Sequence, residues 1–419
     1  MKQKIWDGIL HVWSRIRVLL KWVIFALLSG LIIGVVGTLF FYCMKYATDT
    51  REAYPWLIFF LPIGGILIVG AYRLMKNEKD SGTNLVLSAI HSGERIPLRM
   101  APLIFISTVL THLFGGSTGR EGAALQLGGS IGNSLGRYFR FDEKDQHIMI
   151  MCGMSAAFSA LFGTPLAAAI FSMEVVSVGI MHYSALVPCV ISSLVAHGVA
   201  TYFGIASEQF TIGIIPDFSI LTGAQTALLA ILCAGVSVLF CIALHTSEHF
   251  YKKYFKNTYL RIIAGGVIIL ILTLLVGSQH YNGAGMHMIE HCFENESVPY
   301  AFLLKILFTA LTLGAGYKGG EIVPSFFIGA TFGCLFGNLL GFSPALCTAI
   351  GMGAVFCGVT NCPISSLFIC FELFGFQGMP YFLLSIAISY MLSGYYGLYR
   401  SQKIVYSKYK TEFINRKTH

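Results

Sequence analysis

Long apolar stretches alternate with short polar or glycine-rich segments along almost the whole chain. A membrane-spanning helix needs about 20 apolar residues, and stretches close to that length lie at 22–46, 54–72, 184–202, 220–244, 259–276 and 322–340. The other apolar stretches are shorter, several of them are broken by Gly and Pro, and they lie at 100–114, 147–161, 165–180, 300–313, 344–359, 363–374 and 381–396. Interrupted helices at membrane depth occur where protein or a watery cavity covers their backbone, and transporters use such half-helices to bind ions. The pattern therefore predicts an all-α polytopic membrane protein with broken helices.

The composition supports this class and excludes others. Of 419 residues, 55% are hydrophobic and only 11% are charged, whereas a soluble domain carries about 25% charged residues. This excludes a disordered chain, a secreted disulfide scaffold and a nucleic-acid-binding domain. The eleven cysteines lie mostly inside apolar stretches without paired short spacing, so we interpret them as reduced core residues and expect no metal and no cofactor.

The formal net charge of +8 is concentrated at the two ends of the chain. Basic residues occupy positions 2, 4, 15, 17 and 21 near the start and positions 400, 403, 408, 410, 416 and 417 near the end. The positive-inside tendency therefore predicts that both termini are cytoplasmic. Trp and Ile residues are interspersed with the basic residues of 1–21, which predicts an interfacial helix there and not a cleaved signal peptide.

An internal repeat divides the chain into two halves. Gly, Phe, Pro and Glu at 153, 158, 165 and 174 recur at 351, 356, 363 and 372, and glycines at 115, 119, 128, 132 and 136 recur at 316, 320, 329, 333 and 337. The four-residue spacing within each glycine series predicts helix faces that allow close packing. We therefore predict a first transmembrane repeat at 22–205, a connector at 206–218, a second transmembrane repeat at 219–399 and a cytoplasmic tail at 400–419. Duplicated halves with broken helices are typical of secondary transporters.

Ahead of the first glycine series, a glycine-rich turn from 115 to 119 opens onto a helix with Arg120, Glu121 and Gly122 at its start. The free N–H groups and positive dipole end of such a helix form an anion site. An ionisable residue at membrane depth is a candidate for a functional role. Glu121 could occupy the site as a tethered anion and leave it when protonated, which would couple proton movement to anion movement. The alternative is a structural ion pair between Arg120 and Glu121.

The second half carries a non-equivalent carboxylate at the matching helix start. Glu321 is followed by Ile322, Val323 and Pro324, and proline suits a first helical turn. An ion pair between Glu321 and Lys318 is the alternative explanation. A third candidate is the polar turn 80–85, where Thr83 and Asn84 could bind an ion, although helix capping is the favoured interpretation there.

These three stretches resemble the selectivity segments of the CLC family of chloride channels and proton-coupled antiporters. Residues 119–122 are similar to its GREGP segment, residues 319–324 to its GxFxP segment and residues 82–85 to its GSGIP segment. The resemblance covers about residues 22–400 and implies an inverted repeat of tilted, broken transmembrane helices, a homodimer and one anion pathway per subunit. It also implies a tyrosine near the anion, for which we favour Tyr399 over Tyr395 and Tyr396.

Departures from the family pattern resemble its bacterial branch that exchanges fluoride for protons. The serine of GSGIP is lost, Ala123 replaces a proline, and Glu321 stands where an apolar residue is usual. Val175 stands where chloride/proton antiporters carry an inner relay glutamate. The resemblance therefore implies a fluoride/proton antiporter of the bacterial inner membrane, whose partners are fluoride and protons, with no nucleic acid.

Our hypothesis is that Glu121 alternates between tethered anion and proton carrier while Glu321 assists proton or fluoride transfer. Thr83, Asn84, Arg120, Gly122, Ile322, Val323 and Tyr399 would form the anion-binding set, because fluoride requires hydrogen-bond donors to replace its water. One alternative is a chloride channel or chloride/proton antiporter of the same fold. A membrane metalloenzyme has one supporting motif, His-x-x-Glu-His at 287–291, which we interpret as part of a solvated loop.

Overall fold

The computed structural model describes residues 2–78 and 81–419, which form sixteen α-helices. The helices of the first half are α1 Lys2–Ala53, α2 Leu61–Leu74, α3 Thr83–Ser92, α4 Met100–Leu113, α5 Glu121–Tyr138, α6 Glu143–Phe162, α7 Pro165–Glu174 and α8 Leu186–Tyr202. Those of the second half are α9 Ile220–Tyr254, α10 Thr258–Val276, α11 Met286–Phe293, α12 Ala301–Ala315, α13 Ile322–Leu340, α14 Pro344–Thr360, α15 Pro363–Phe374 and α16 Met379–Leu392. Short 3₁₀ turns at Pro55–Phe60 and Tyr183–Ala185 lead into α2 and α8.

Six segments of the described chain are long and apolar enough to cross a membrane. They are Leu10–Ala53, Pro55–Leu74, Tyr183–Tyr202, Ile220–Tyr254, Thr258–Val276 and Ile322–Leu340. Other apolar helices, such as α7 and α15, have only 10 to 17 residues and are too short to span alone. The mixture of full-length and short helices agrees with the predicted class of polytopic helical membrane protein.

The N-terminal segment is the beginning of the first long helix. The sequence predicted a separate interfacial helix over 1–21, but α1 runs from Lys2 to Ala53 without a break. Gly8 is the only Gly or Pro in residues 2–21, so the sequence contains no proline that would end the helix before the apolar stretch begins at Trp22. A membrane-interface position for these first turns stays a prediction.

The two glycine series are the contact faces of two helix pairs. The Gly128 face of α5 packs against α6 so closely that a Cβ on Gly128 would collide with the carbonyl oxygen of Gly153. In the second half, a Cβ on Gly329 in α13 would collide with the carbonyl oxygen of Gly351 in α14. Small residues that let backbones touch are the usual means of helix association in lipid. The repeat-related glycines therefore form repeat-related contacts.

A second symmetric contact joins the short helices α7 and α15. Glu174, at the end of α7, accepts hydrogen bonds from the backbone N–H groups of Ile364 (3.1 Å) and Ser365 (2.8 Å) at the start of α15. Glu372, its repeat equivalent, accepts from Leu166 (2.9 Å) and Ala167 (2.8 Å) at the start of α7. Each carboxylate satisfies the N–H groups that the first turn of the other helix leaves unpaired. The two glutamates found by the repeat thus join the halves of the fold.

The C-terminal tail packs back on the helices. It contributes strands β2 Lys403–Tyr406 and β3 Phe413–Lys417 to a three-stranded sheet with β1 Ser177–Val178, where β2 runs parallel to β1 and antiparallel to β3. Gln402, just ahead of β2, donates to the carbonyl oxygens of Val175 (2.9 Å) and Thr360 (2.8 Å). The sequence did not predict these strands, because the segment has no clear alternation of apolar and polar residues.

Candidate functional site

The candidate site lies where the starts of α5 and α13 meet. Gly119 and Gly320, which the repeat relates, form two backbone hydrogen bonds of 2.7 Å with each other. The backbone of Gly320 lies directly against Gly122, and Val323 contacts Gly119. Because the first turns of both helices have N–H groups without intrahelical acceptors, Gly122, Ile322 and Val323 bring such groups to one region. The two helix starts that the sequence analysis singled out one by one are thus neighbours in the structure.

Glu121 is fully buried at the first position of α5. Its Oε2 atom accepts a hydrogen bond from the backbone N–H of Arg120 at 3.1 Å, so the carboxylate folds back on the start of its own helix. Its Oε1 atom lies 3.2 Å from Nε of Arg120. The ion pair that the sequence analysis held as the alternative is thus present. Arg120 is the N-cap residue and precedes the first helical residue of α5, so its side chain can meet that of the adjacent Glu121.

Arg120 also binds a second carboxylate that the sequence analysis missed. Its Nη2 atom lies 2.7 Å from Oε1 of Glu208, and its guanidinium lies 4.7 Å from the centre of the Phe41 ring. Glu208 belongs to the segment 205–219, which forms neither helix nor strand and returns over the site. Burial raises the pKa of Glu208 to about 7, with a further increase from Glu121 that the Arg120 charge opposes. A lone acidic residue in a connector gave no signal in the sequence beyond its charge.

Glu321 precedes α13 as its cap residue, a position equivalent to that of Arg120. Its Oε2 atom is buried, lies against Gly122 and has no hydrogen-bond partner among the residues that the structure describes. Among the ion pairs of the described residues there is none between Lys318 and Glu321, the alternative that the sequence analysis held; the Lys318 ammonium group lies 4.4 Å from the centre of the Tyr72 ring. A buried carboxyl oxygen without a hydrogen-bond partner is unfavourable. Oε2 of Glu321 is therefore free to take up a proton.

The polar turn before α3 contributes Thr83, which is buried and lies next to α5. Thr83 and Asn84 do not cap α3 as the sequence analysis favoured, because Gly82 is its cap residue and no described side chain forms the cap hydrogen bond. The Thr83 hydroxyl accepts from Nε2 of Gln126 at 3.1 Å and lies 3.4 Å from the carbonyl oxygen of Gly122. Gln126 was missed, although it is a polar residue in an otherwise apolar helix start. Asp80 of the same turn lies outside the described residues.

Asn84 contacts the C-terminal segment. Its Oδ1 atom accepts a hydrogen bond from the backbone N–H of Ser401 at 2.9 Å. The Asn84 side chain, which we predicted to bind an anion, therefore also holds the chain at Ser401, just after Tyr399. The partner could not be found from the sequence, because 317 residues separate the two.

Tyr399 is the tyrosine whose surroundings fit the predicted position. It is fully buried, its hydroxyl has no partner among the described residues, and the charges of Glu321 and Glu121 both act on it. The Tyr395 hydroxyl instead lies 2.8 Å from Oγ of Ser407, and the Tyr396 ring packs against His419. Of the three tyrosines that the sequence left open, Tyr399 alone has a buried hydroxyl without a partner in the part of the chain described.

A cavity of about 960 Å³ leads to the site from the C-terminal end of α1. We call it the vestibule; its lining includes Arg51, His112, Arg120, Glu121, Asn282 and Val323. Glu121 thus lines the vestibule and is at the same time the first residue of α5.

The metalloenzyme motif lies in a helix. The sequence analysis placed 287–291 in a solvated loop, whereas α11 carries it, with Nε2 of His287 and of His291 3.3 Å apart. Within the described residues, no group of three or more His, Cys, Asp or Glu side chains could hold a metal ion. A catalytic zinc site takes three protein ligands, and in the described part of the chain these two histidines have no third one beside them.

Two repeat-related halves of broken helices, with buried carboxyl groups where two helix starts meet, define a membrane protein of the ion-transporter class. Residues 64–394 match the voltage gated chloride channel family, and the chain belongs to this family, which is the CLC family. The resemblance drawn from the three motifs is confirmed.

Relatives within the family cover most of the chain. It is 37% identical over 401 residues to the chloride/fluoride channel protein of Pseudomonas syringae pv. tomato, which spans 93% of this chain and 88% of that protein. It is 25% identical over 380 residues to the H(+)/Cl(−) exchange transporter ClcA of Vibrio cholerae, spanning 83% of this chain and 81% of ClcA.

Solved structures agree with the fold. A crystal structure of a CLC-type fluoride/proton antiporter matches with a TM-score of 0.88 at 33% identity, covering 92% of this chain and 98% of that one. A slow cyanobacterial Cl−/H+ antiporter matches with a TM-score of 0.76 at 21% identity, covering 89% and 94%. The predicted all-α polytopic fold with CLC-like inverted repeats is confirmed.

Proposed function

We propose that this chain is a secondary active fluoride/proton antiporter that exports cytoplasmic fluoride in exchange for protons. The observation that carries the proposal is the Glu321 carboxyl group at the start of α13, buried, unpaired at Oε2 and next to Gly122. The names of the Pseudomonas relative and of the matching antiporter structure support fluoride as the ion.

Glu121 is the proton-coupled gate in this proposal. As a carboxylate it occupies the start of α5, where Arg120 N–H and the helix dipole stabilise a negative charge. Protonation removes that charge and weakens the attraction of Arg120, so the side chain leaves and an anion takes its position. Because the anion takes the position of the Glu121 carboxylate only after that carboxylate is protonated, anion movement is coupled to proton movement.

Glu321 acts from the other helix start in the proposed cycle. A protonated carboxyl group is a hydrogen-bond donor, and desolvation favours the neutral form of a buried carboxyl group. Neutral Glu321, Tyr399 and Thr83 would then offer hydroxyl donors to fluoride together with the amide of Asn84 and the N–H groups of Gly122, Ile322 and Val323. Val175 offers no ionisable group where the resemblance expects the relay glutamate, so Glu321 is the proposed substitute for it.

The chain acts as a transporter in this proposal and not as an enzyme. We infer a homodimer in a bacterial inner membrane with both termini cytoplasmic. Because α1 then crosses the membrane once, its C-terminal end and the vestibule face the outside.

Chloride transport by the same fold is the second candidate, favoured by the kinship with the ClcA exchanger. The test is efflux from proteoliposomes loaded with equal concentrations of fluoride and chloride, followed with ion-selective electrodes. We expect rapid fluoride efflux and little chloride efflux. Chloride efflux at an equal or higher rate would replace the proposal with the second candidate.

A further inference from the structure

Tyr399, the proposed hydroxyl donor to the anion, lies in a segment without regular structure. α16 ends at Leu392 and β2 begins at Lys403, and Tyr399 lies between them outside any helix or strand. Its side chain is fully buried, and its hydroxyl has no hydrogen-bond partner among the described residues. The position of this hydroxyl is therefore set by the packing of the ring and by the contacts that hold the Tyr399 backbone.

The C-terminal tail holds the backbone of Tyr399 through its carbonyl oxygen. This oxygen accepts hydrogen bonds from Oγ1 of Thr418 at 2.7 Å and from the backbone N–H of Gln402 at 2.9 Å. The backbone N–H of Thr418 also donates to the carbonyl oxygen of Gln402 at 3.3 Å. Both tail residues are buried, where a lost hydrogen bond leaves a polar group unpaired and is costly. Residues from both ends of the tail thus meet at Tyr399.

The Gln402 side chain connects this contact with the ends of two helices. Its Nε2 atom donates to the carbonyl oxygens of Val175, at the end of α7, and of Thr360, at the end of α14. Its Oε1 atom accepts from Nδ2 of Asn361 at 3.0 Å. Because both amide hydrogens and the amide oxygen have partners, a rotation of this buried side chain would leave polar groups unpaired. Gln402 therefore ties the position of Tyr399 to α7 and α14.

We propose that Gln402 and Thr418 are positioning residues of the anion site, which hold the Tyr399 backbone so that its hydroxyl lies where an anion accepts its hydrogen bond. Both side chains direct their own donors to backbone carbonyl oxygens, so they act on the anion through Tyr399. A hydrogen bond to an anion is short and sensitive to its angle, so a displaced hydroxyl weakens anion binding. This inference rests on the proposed function, in which Tyr399 donates to the transported anion.

The test is the half-saturating concentration of fluoride and the maximal rate of exchange in proteoliposomes. T418V removes the hydroxyl and keeps the branched shape, so we expect the half-saturating concentration to rise about threefold to tenfold. T418S keeps the hydroxyl and should restore a value near that of the wild type. T411V, a change at an exposed threonine of the same tail, is the control and should have no effect. T418A is the second variant if T418V does not fold.

The double variant Y399F/T418V separates positioning from a general structural role. If Thr418 acts through the Tyr399 hydroxyl, T418V should raise the half-saturating concentration no further once Y399F has removed that hydroxyl. An equal further rise in the Y399F background overturns the inference, as does a T418V variant that lowers only the maximal rate.

The same variants distinguish failure of the inference from failure of the proposed function. Wild-type binding by T418V, while Y399F binds weakly, overturns the inference alone. Wild-type binding by Y399F overturns the proposed role of Tyr399 and the inference with it. If the wild type transports chloride and not fluoride, the proposed ion is wrong, and the same pattern is expected when the series is measured with chloride.

Discussion

The two carboxyl groups at the helix starts differ in what surrounds them. Glu121 has an ion pair and a backbone donor, whereas Oε2 of Glu321 has no partner in the described residues. An ion pair and a backbone donor offset part of the cost of burying a carboxylate, whereas a buried carboxyl oxygen without a partner has no such compensation. This difference is the physical basis for assigning the gate to Glu121 and the donor role to Glu321.

Replacing Glu121 tests the gate. In E121Q the side chain carries no charge and no titratable proton, so we expect fluoride to move without protons. The measurement is simultaneous recording of fluoride efflux and proton uptake by proteoliposomes, with E294Q, a change at an exposed glutamate, as the control. Unchanged proton uptake per fluoride in E121Q would contradict the assigned role.

Glu208 predicts a dependence of stability on pH. Its pKa is raised by burial to about 7, above the ordinary value near 4.3 of an unfolded chain. The folded protein therefore binds an additional proton between these values, and its stability falls as pH rises through that window. We expect E208Q to reduce the decrease in melting temperature between pH 5 and pH 8.

The measurement is thermal unfolding of the detergent-solubilised protein at both pH values. E412Q, a change at an exposed glutamate of the C-terminal segment, is the matched control and should behave as the wild type. An equal decrease in E208Q and wild type would show that Glu208 does not titrate in this range.

At the scale of elements, the cross-contacts of α7 and α15 predict where stability resides. E174A removes the carboxylate that accepts from two backbone N–H groups at the start of α15, and E372A does the same for α7. The loss is expected to lower the free energy of unfolding by about 1–3 kcal/mol in E174A, where the N–H of Ser365 is buried, and by less in E372A, where the N–H of Leu166 is exposed.

A comparison with an exposed cap makes this prediction specific. Asp142 caps α6 through the N–H of Asp145 at 2.8 Å in a solvent-exposed position, so D142A should have the smaller effect. Melting temperatures of the three variants in detergent provide the ranking. If E174A and E372A melt no lower than D142A, the glutamates do not join the halves.

The helix starts were predictable because their signals are local. Glycine-rich turns at 115–119 and 316–320, followed by charged residues and an apolar stretch, mark α5 and α13 with their carboxyl groups. The glycine series likewise identified the faces that touch. Side-chain partners such as Glu208 for Arg120 and Ser401 for Asn84 were not predictable, since they lie in segments without periodicity and far away in the sequence.

At the scale of the whole molecule, the duplication explains why the site is central. Each half brings one helix start to the pairing of Gly119 with Gly320, and each half inserts a glutamate at the start of a helix of the other. The N-cap residue of α5 is Arg120, whereas its repeat equivalent at the start of α13 is Glu321. The two repeat-related positions therefore carry a basic and an acidic side chain. In the proposed cycle, an ion that crosses between the halves therefore meets a basic side chain at one helix start and an acidic one at the other.

The most direct test of the central claim is fluoride efflux from proteoliposomes under an imposed proton gradient, with internal pH recorded at the same time. The account predicts that an inward proton gradient drives fluoride out against its own concentration gradient, and that the interior acidifies as fluoride leaves. Fluoride that moves only down its own gradient, with no change in internal pH, would contradict it.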